Sequence, residues 1–277
     1  MAYDSYDLIQ IARHGAVVTA TVDNPPINIV TMALFGELAQ LAIELEADPS
    51  ALVFVLKSAD PDFFLAHFDV AALIAIAEGP PGPVEDANAY HELCNRFQTM
   101  NTVTIAQIEG RVGGGGSELS MAFDMRFGVR GKTIVNQMEV PIGIIPGGTG
   151  TQRMPRLIGR ARALEVILGG IDMDAETAER WGWLNRALAA DEIDAYVSSL
   201  ARRIASFPPE AVRLAKQAIG AAAPPLAEGC RVEGELFQTL LFSDAARIKM
   251  ARFLELGGQT REGELRVAAL SAEVAAG

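Results

Sequence analysis

Ile108-Glu109-Gly110-Arg111-Val112-Gly113-Gly114-Gly115-Gly116-Ser117-Glu118-Leu119 sets four consecutive glycines between two apolar segments, Val103 to Ile108 before them and a helix read around Glu118 to Met125 after them. Flexible glycine linkers are flanked by polar residues, so this run reads as an ordered junction from strand to helix. Glycines there let the backbone come close to a ligand. They also turn several N–H groups toward one point at the helix N-terminus, where the helix dipole favours negative charge. The outline is that of an oxyanion or phosphate site. A nucleotide loop fits less well, because the run carries no GxxxxGK lysine and the spacing is not GxGxxG.

Upstream, Leu8 to Ile11 and Ala16 to Val22 are β-rich stretches around Arg13-His14-Gly15, which reads as a hairpin, and Asn24-Pro25-Pro26 ends that edge. From Thr31 to Ala47, Leu34, Phe35, Leu38, Leu41, Ala42 and Leu45 recur at helical spacing, with Thr31 as N-cap and Pro49 beyond the end. Leu52 to Leu56 reads as a buried strand. Phe63 to Asp69 follows, then a short helix to Glu78, a loop Gly79-Pro80-Pro81-Gly82-Pro83 and a helix through Met100. Single strands alternating with helices up to about residue 190 predict an α/β layer. Beyond it, Asp191 to Ala205, Glu210 to Ile219, Leu226 to Phe242 and Asp244 to Leu256 read as helices broken at Pro208-Pro209 and Pro224-Pro225, with no strand between them. The expected organisation is an α/β core over residues 1–205 that carries the active site and a helical C-terminal region over 206–277.

The 277 residues are 50% hydrophobic and 21% charged, which excludes disordered and fibrous classes. Lysine and arginine number 23 against 35 aspartates and glutamates, a net charge of −12 that repels nucleic acid and anionic membrane surfaces. Cys94 and Cys230 make no CxxC pair, and His14, His67 and His91 stand far apart, so neither a disulfide framework nor a zinc cage is indicated. This usage fits a reducing, cytoplasmic setting. The residues to Asp7 hold no apolar signal core, and the longest apolar run, Val70 to Ala77, is far short of the roughly 18 residues of a bilayer span. A soluble protein with no metal and no nucleic acid or membrane partner is expected.

Glu118 is read in the first helical turn, and Glu139 lies 21 residues later in Val135-Asn136-Gln137-Met138-Glu139-Val140-Pro141. Alone, each is most simply a solvated carboxylate, and the helix dipole also explains a first-turn glutamate. Both, however, stand in apolar surroundings. Two carboxylates enclosed in one site divide acid from base, because burial and mutual repulsion separate their pKa values. Downstream, Ile144-Ile145-Pro146-Gly147-Gly148-Thr149-Gly150-Thr151-Gln152-Arg153 is a glycine-rich approach to a helix, in its simplest form a turn plus N-cap.

Phe64-Leu65-Ala66-His67-Phe68-Asp69, the Gly113 to Glu118 run, Gln137 to Glu139 and Pro146 to Arg153, in this order and at these intervals, resemble the crotonase superfamily of enoyl-CoA hydratases and isomerases. The resemblance also covers the opening hairpin with Asn24-Pro25-Pro26, Gly159-Arg160 to Leu168, Ala175 to Asn185 and Phe207 to Ala218, which is most of the chain. It implies a spiral of ββα units whose C-terminal helices help to build trimers or dimers of trimers. The implied substrate is an acyl-CoA, so CoA arrives on the substrate and no separate cofactor is expected. By the same resemblance, the backbone N–H groups of Ala66 and Gly115 hold the thioester oxygen and stabilise its enolate-like charge. Glu118 and Glu139 bind the water between them, and Gly147 packs against the acyl site. Ala66, His67, Phe68, Asp69, Gly114 and Gly147 form the implied substrate-binding set, with Asp69 orienting the loop.

The chain also departs from the family's pattern. His67 and Phe68 stand where a small pair is usual, and their bulk is expected to narrow the acyl or pantetheine channel. Phe253-Leu254-Glu255-Leu256-Gly257-Gly258 stands where basic residues often meet the CoA phosphates, and Asn24-Pro25-Pro26-Ile27 also lacks a basic residue. The leading expectation is a lyase adding water to a 2-enoyl-CoA, with Glu118 as base on the water and Glu139 as the acid delivering a proton to the α carbon. The alternatives are an isomerase, a decarboxylase, a hydrolase acting on a β-dicarbonyl without CoA, and a non-catalytic oligomeric binding protein. Isomerases of this kind can work with the later glutamate alone, so the presence of Glu118 leans toward hydration. Leu236, Phe237, Leu240, Leu241, Phe242, Phe253 and Leu254 are expected to pack on the chain's own core and on neighbouring subunits.

Overall fold

The computed structural model describes residues 3, 6–80, 88–222 and 227–276; the end of the proline loop after Pro80 and the Pro224-Pro225 break lie outside the described residues. β1 (Ile9–His14) and β2 (Val17–Val22) form an antiparallel hairpin. α1 (Met32–Ala47) begins at Thr31, whose hydroxyl accepts from the Leu34 N–H at 3.1 Å, and it turns Leu34, Leu38, Leu41, Ala42 and Leu45 into the core. Loss of such a cap costs about 1 kcal/mol. Thr31→Ala is therefore expected to lower the urea midpoint at an unchanged m-value.

Three successive stretches of chain then follow one plan, a strand in a large sheet, a short strand in a second sheet, and helix. The first comprises β3 (Val53–Ser58), β4 (Phe63–Leu65), α2 (Val70–Ala77) and α3 (Ala89–Thr99). The second is β5 (Val103–Ile108), β6 (Arg111–Gly113) and α4 (Gly114–Met121). The third is β7 (Met125–Val129), β8 (Ile134–Asn136), a 3₁₀ turn at Val140–Ile142, α5 (Gly150–Ile158) and α6 (Arg160–Gly169). β9 (Met173–Asp174), α7 (Ala175–Trp181), β10 (Arg186–Leu188) and α8 (Ile193–Ala205) complete the α/β part. The large sheet runs β1-β2-β3-β5-β7-β10 and is parallel beyond the opening hairpin. The small sheet runs β4-β6-β8-β9, antiparallel only at its last pair.

β5 is buried at every position, as a parallel strand covered on both faces must be. Alternate side chains serve different layers. Phe54, Leu56, Ala106 and Ile108 join the main core with α1 and α3, whereas Val53, Val55, Val103 and Ile105 meet Ile193, Val197 and Ala201 of α8.

The glycine run is itself helical, which corrects the placement of the helix over Glu118 to Met125. α4 starts at Gly114 and ends at Met121, and Met125 opens β7. The cause is close packing rather than flexibility: a Cβ on Gly116 would sit 2.2 Å from the Leu65 carbonyl oxygen, so only glycine lets α4 lie against β4. Glu118 accordingly stands in the second turn, not the first, and is carried deeper into the molecule.

α9 (Pro209–Gly220), α10 (Ala227–Leu241), α11 (Asp244–Glu255), α12 (Arg261–Leu265) and α13 (Val267–Ala276) follow with no strand among the described residues. Leu241 and Phe253 are buried, and Phe237, Leu240, Phe242 and Leu254 pack against the same cluster, which includes Val70, Met138, Ile142 and Ile144. The C-terminal helices thus share a core with α2 and the segment after β8, while Leu236 stays 53% exposed. Cys94 and Cys230 are free, buried thiols. Among the described residues, no helix is long and apolar enough to cross a membrane.

Candidate active site

Between α2, α3, α10 and the segment 138–148 lies a cavity of about 440 Å³ whose floor includes Gly115 and Glu118 of α4. Its walls are mainly apolar, with Leu73 and Ile76 on one side and Phe237 and Leu241 on the other. Glu118 and Glu139 both reach it, and both are buried.

Glu118 is oriented by the loop before α5. Its Oε1 accepts from the N–H groups of Gly148 at 2.8 Å and Gly150 at 2.7 Å. The intervening amides point the other way: Thr149 and Thr151 donate to Glu233 of α10 at 2.6 and 2.8 Å. Four successive N–H groups therefore alternate between two buried carboxylates. Glu233 also meets the His91 ring at 3.2 Å, and Asn88 donates to the Gly147 carbonyl at 3.0 Å, so α3 and α10 brace this loop together.

Glu139 has one oxygen, Oε2, without a partner among the described residues. Burial pushes its pKa up to about 7, with Glu233 adding to the rise and its own backbone amide and His67 opposing it. Burial also raises Glu118 well above the usual carboxylate range, reinforced by the charges of Glu139 and Glu233 and opposed by the Gly150 and Gly148 amides. In one enclosed site, the charge on either carboxylate makes it harder for the other to ionise.

The oxyanion pair differs from the one implied by the sequence. Ala66 is not a free donor, because its N–H is directed to the Asn28 carbonyl at 3.3 Å. Ala66 borders a small hollow behind the cavity rather than the cavity itself. The adjoining segment pairs through Val30, whose N–H donates to the His67 carbonyl at 2.8 Å and whose carbonyl accepts from Asp69 N–H at 3.1 Å. Three residues from Ala66 to Asp69 thus match two from Asn28 to Val30, a bulge of the kind that re-aims a backbone group. The His67 and Phe68 amides are left without an acceptor among the described residues, and of these Phe68 adjoins Gly115: a Cβ on Gly115 would lie 3.3 Å from Phe68 N. Gly115 is the second residue of α4, where an N–H has no partner within the helix. Phe68 and Gly115 both border the cavity, with their amides side by side.

The other implied contacts divide. Gly147 borders the cavity against Phe237. Besides Ala66, two members of the implied substrate-binding set do not border it. Asp69 instead caps α2 through Ala71 N–H at 2.9 Å and accepts from Gln259 at 2.9 Å, and Gly114, with φ of +43°, packs against His67 and Glu139. The bulky pair also splits. Phe68 stands edge-on to Tyr90 with ring centroids 5.7 Å apart, whereas the His67 ring is edge-on to Phe253 of α11 at 5.9 Å. Tyr90 is a site residue the sequence reading missed. Its hydroxyl donates to the Gly115 carbonyl at 2.7 Å, and burial keeps its pKa well above the ordinary value, so it remains a neutral donor.

A family model described as enoyl-CoA hydratase/isomerase matches residues 12–261. A Rhizobium meliloti protein named as a "probable enoyl-CoA hydratase" is 31% identical over 253 residues, covering 90% of this chain and 96% of the relative. A similarly named Mycobacterium leprae protein is 30% identical over 252 residues, with the same two coverages of 90% and 96%. A solved structure from Streptomyces avermitilis, described as a candidate enoyl-CoA hydratase, superposes with a TM-score of 0.90 at 36% identity, covering 99% of this chain and 100% of that one. Both sheets, the paired glutamates and the near-complete match place the chain, on its crotonase fold, in the enoyl-CoA hydratase/isomerase family.

Proposed function

We propose that the chain is an enoyl-CoA hydratase, adding water across the double bond of a 2-enoyl thioester. The observation that carries this reading is the convergence of two buried carboxylates, Glu118 and Glu139, with two unshared amides, Phe68 and Gly115, on one apolar cavity. The thioester oxygen lies against the two N–H groups. As the water oxygen bonds to the β carbon, charge moves onto that oxygen and is stabilised by donors already in place. Glu118, held by Gly148 and Gly150, takes a proton from the water; Glu139 delivers one to the α carbon. A carboxylate whose pKa burial lifts to about 7, as at Glu139, suits this exchange.

CoA comes in on the substrate, with no resident cofactor. The exposed Val232, Leu236, Ile248 and Leu265 of the C-terminal helices fit a closed homotrimer or a dimer of trimers built through residues 206–277. Two unpaired thiols suit a cytoplasmic setting. Purified protein mixed with a series of 2-enoyl-CoA esters is expected to consume their conjugated absorbance. No loss with any ester, alongside cleavage of a β-diketone, would replace hydration by hydrolysis on the same fold. Light scattering that returned the mass of one chain would overturn the assembly.

A further inference from the structure

The short segment between α11 and α13 grips the loop that carries the Phe68 amide. Gln259 donates to Asp69 at 2.9 Å, Arg261 pairs with Asp60 at 2.7 Å and also with Asp62, and Glu264 Oε1 lies 3.1 Å from His67 Nε2. The contacts fall on both sides of β4 and its following bulge. His67 and Glu264 are each 2% exposed.

Both nitrogens of the His67 ring face acceptors. Nδ1 lies 2.8 Å from the Phe68 carbonyl oxygen, and Nε2 faces Glu264 at ion-pair distance, though outside hydrogen-bond angles. A neutral imidazole has one N–H and one lone pair, so it would set that lone pair against an oxygen; only the imidazolium suits both neighbours. The charged groups around the ring agree. Glu264 of α12 is the ring's anionic partner and Glu139 ahead of the 3₁₀ turn acts in the same sense when it is ionised, whereas Arg111 of β6 is engaged by Asp172 at 2.7 Å. Burial is the largest influence and opposes the charge, but Glu264, the Phe68 carbonyl and Glu139 together outweigh it and raise the His67 pKa.

The neighbouring peptide shows what this pair can do. The His67 carbonyl accepts from Val30 N–H, so the Phe68 N–H, trans to that carbonyl, is directed away from Val30 and toward Gly115. We propose that His67 and Glu264 are positioning residues of the oxyanion site, a buried imidazolium–carboxylate pair through which the C-terminal segment pins the Phe68 amide beside Gly115. The same cation favours ionisation of Glu139. Because the folded pKa of His67 is raised, the pair's contribution is full below the ordinary value of 6.5 and is lost as pH rises through the raised value. The proposal rests on the hydratase reading only where turnover is measured.

Nitrogen NMR on histidine-labelled protein tests it, with His67→Gln assigning one of three signals. At neutral pH the wild-type His67 is expected to show both ring nitrogens protonated, and Glu264→Gln to return it to a neutral imidazole. Amide exchange over residues 64–69 should speed up by about 10-fold or more in that variant as the loop opens locally. With an enoyl-CoA, kcat should fall more than KM rises. A neutral His67 in the wild type, or unchanged exchange over 64–69 in folded Glu264→Gln protein, would overturn the proposal. If that variant does not fold, the wild-type nitrogen shifts decide. The NMR and exchange readouts need no substrate, so a failed hydratase assay leaves them intact.

Discussion

Glu118→Gln and Glu139→Gln are each expected to lower turnover of an enoyl-CoA by about 10² to 10⁴-fold, the range of a lost general acid or base, with folding intact. Glutamine at 118 keeps an oxygen for the Gly148 and Gly150 amides, so the loop before α5 holds its shape while the proton acceptor is gone. Because the two groups serve one water, the double variant should lose far less than the product of the single losses. Retained activity in Glu118→Gln with none in Glu139→Gln would mark an isomerase. Full activity in both would remove the site from these residues.

Stability is expected to move the opposite way. The folded pKa of Glu139, about 7, lies above its ordinary 4.5, so the folded state holds the proton more tightly than the unfolded chain. Protein stability is then highest below the unfolded value, falls as pH rises toward 7 and is level beyond it. At 1.36 kcal/mol per pH unit this amounts to about 3 kcal/mol for a fully buried group, of which a neutral glutamine recovers part. Glu139→Gln should therefore melt above the wild type at pH 8, and the gap should close toward pH 4. Such a gain alongside lost turnover is the signature of a carboxylate kept in place for chemistry.

Much of the fold was legible because it is written in local pattern. The run Val103 to Ile108 is wholly apolar and becomes the fully buried β5, and Thr31 followed by leucines at helical spacing becomes the capped α1. The glutamate pair was legible because each residue sits in an apolar stretch. What failed depended on contacts between distant segments. Gly114 to Gly116 read as a junction ahead of the helix, because nothing in the sequence shows that Leu65 will pack so close to Gly116 that the helix can begin at Gly114. Ala66 was taken for the oxyanion donor because a bulge against Asn28 and Val30 leaves no mark in residue types. Tyr90 and Glu233 read as ordinary members of helices, and Glu264 lies beyond the last helix read in the sequence, which ends at Leu256. Only the packing of α3, α10 and α12 against the site turns them inward, and a glutamate spaced like its exposed neighbours carries no sign of that.

Gly115→Ala separates the oxyanion site from the scaffold that holds it. The variant is expected to lose about 10² to 10³-fold in kcat, the penalty of a disabled oxyanion donor, while remaining as stable as the wild type. The added methyl would lie 3.1 Å from Phe68 Cβ, 3.2 Å from the Tyr90 hydroxyl and 3.3 Å from Phe68 N. These contacts are tight but relieved by shifts of a few tenths of an ångström. Gly115 does not need left-handed backbone, and alanine is favoured over glycine in a helix by about 1 kcal/mol. Gly116→Ala differs, since its methyl would strike the Leu65 backbone at 2.2 Å and force α4 off β4. At Gly115 the methyl sits instead between two amides, where the thioester oxygen needs approach to about 3 Å. Neither wall retreats freely: Tyr90 is held by its bond to the Gly115 carbonyl, and the peptide before Phe68 by Val30. The oxygen is pushed off its donors just as charge develops on it, so the loss should fall on kcat rather than KM, with an unchanged melting temperature. Wild-type kcat in this variant would mean that the oxygen is held elsewhere.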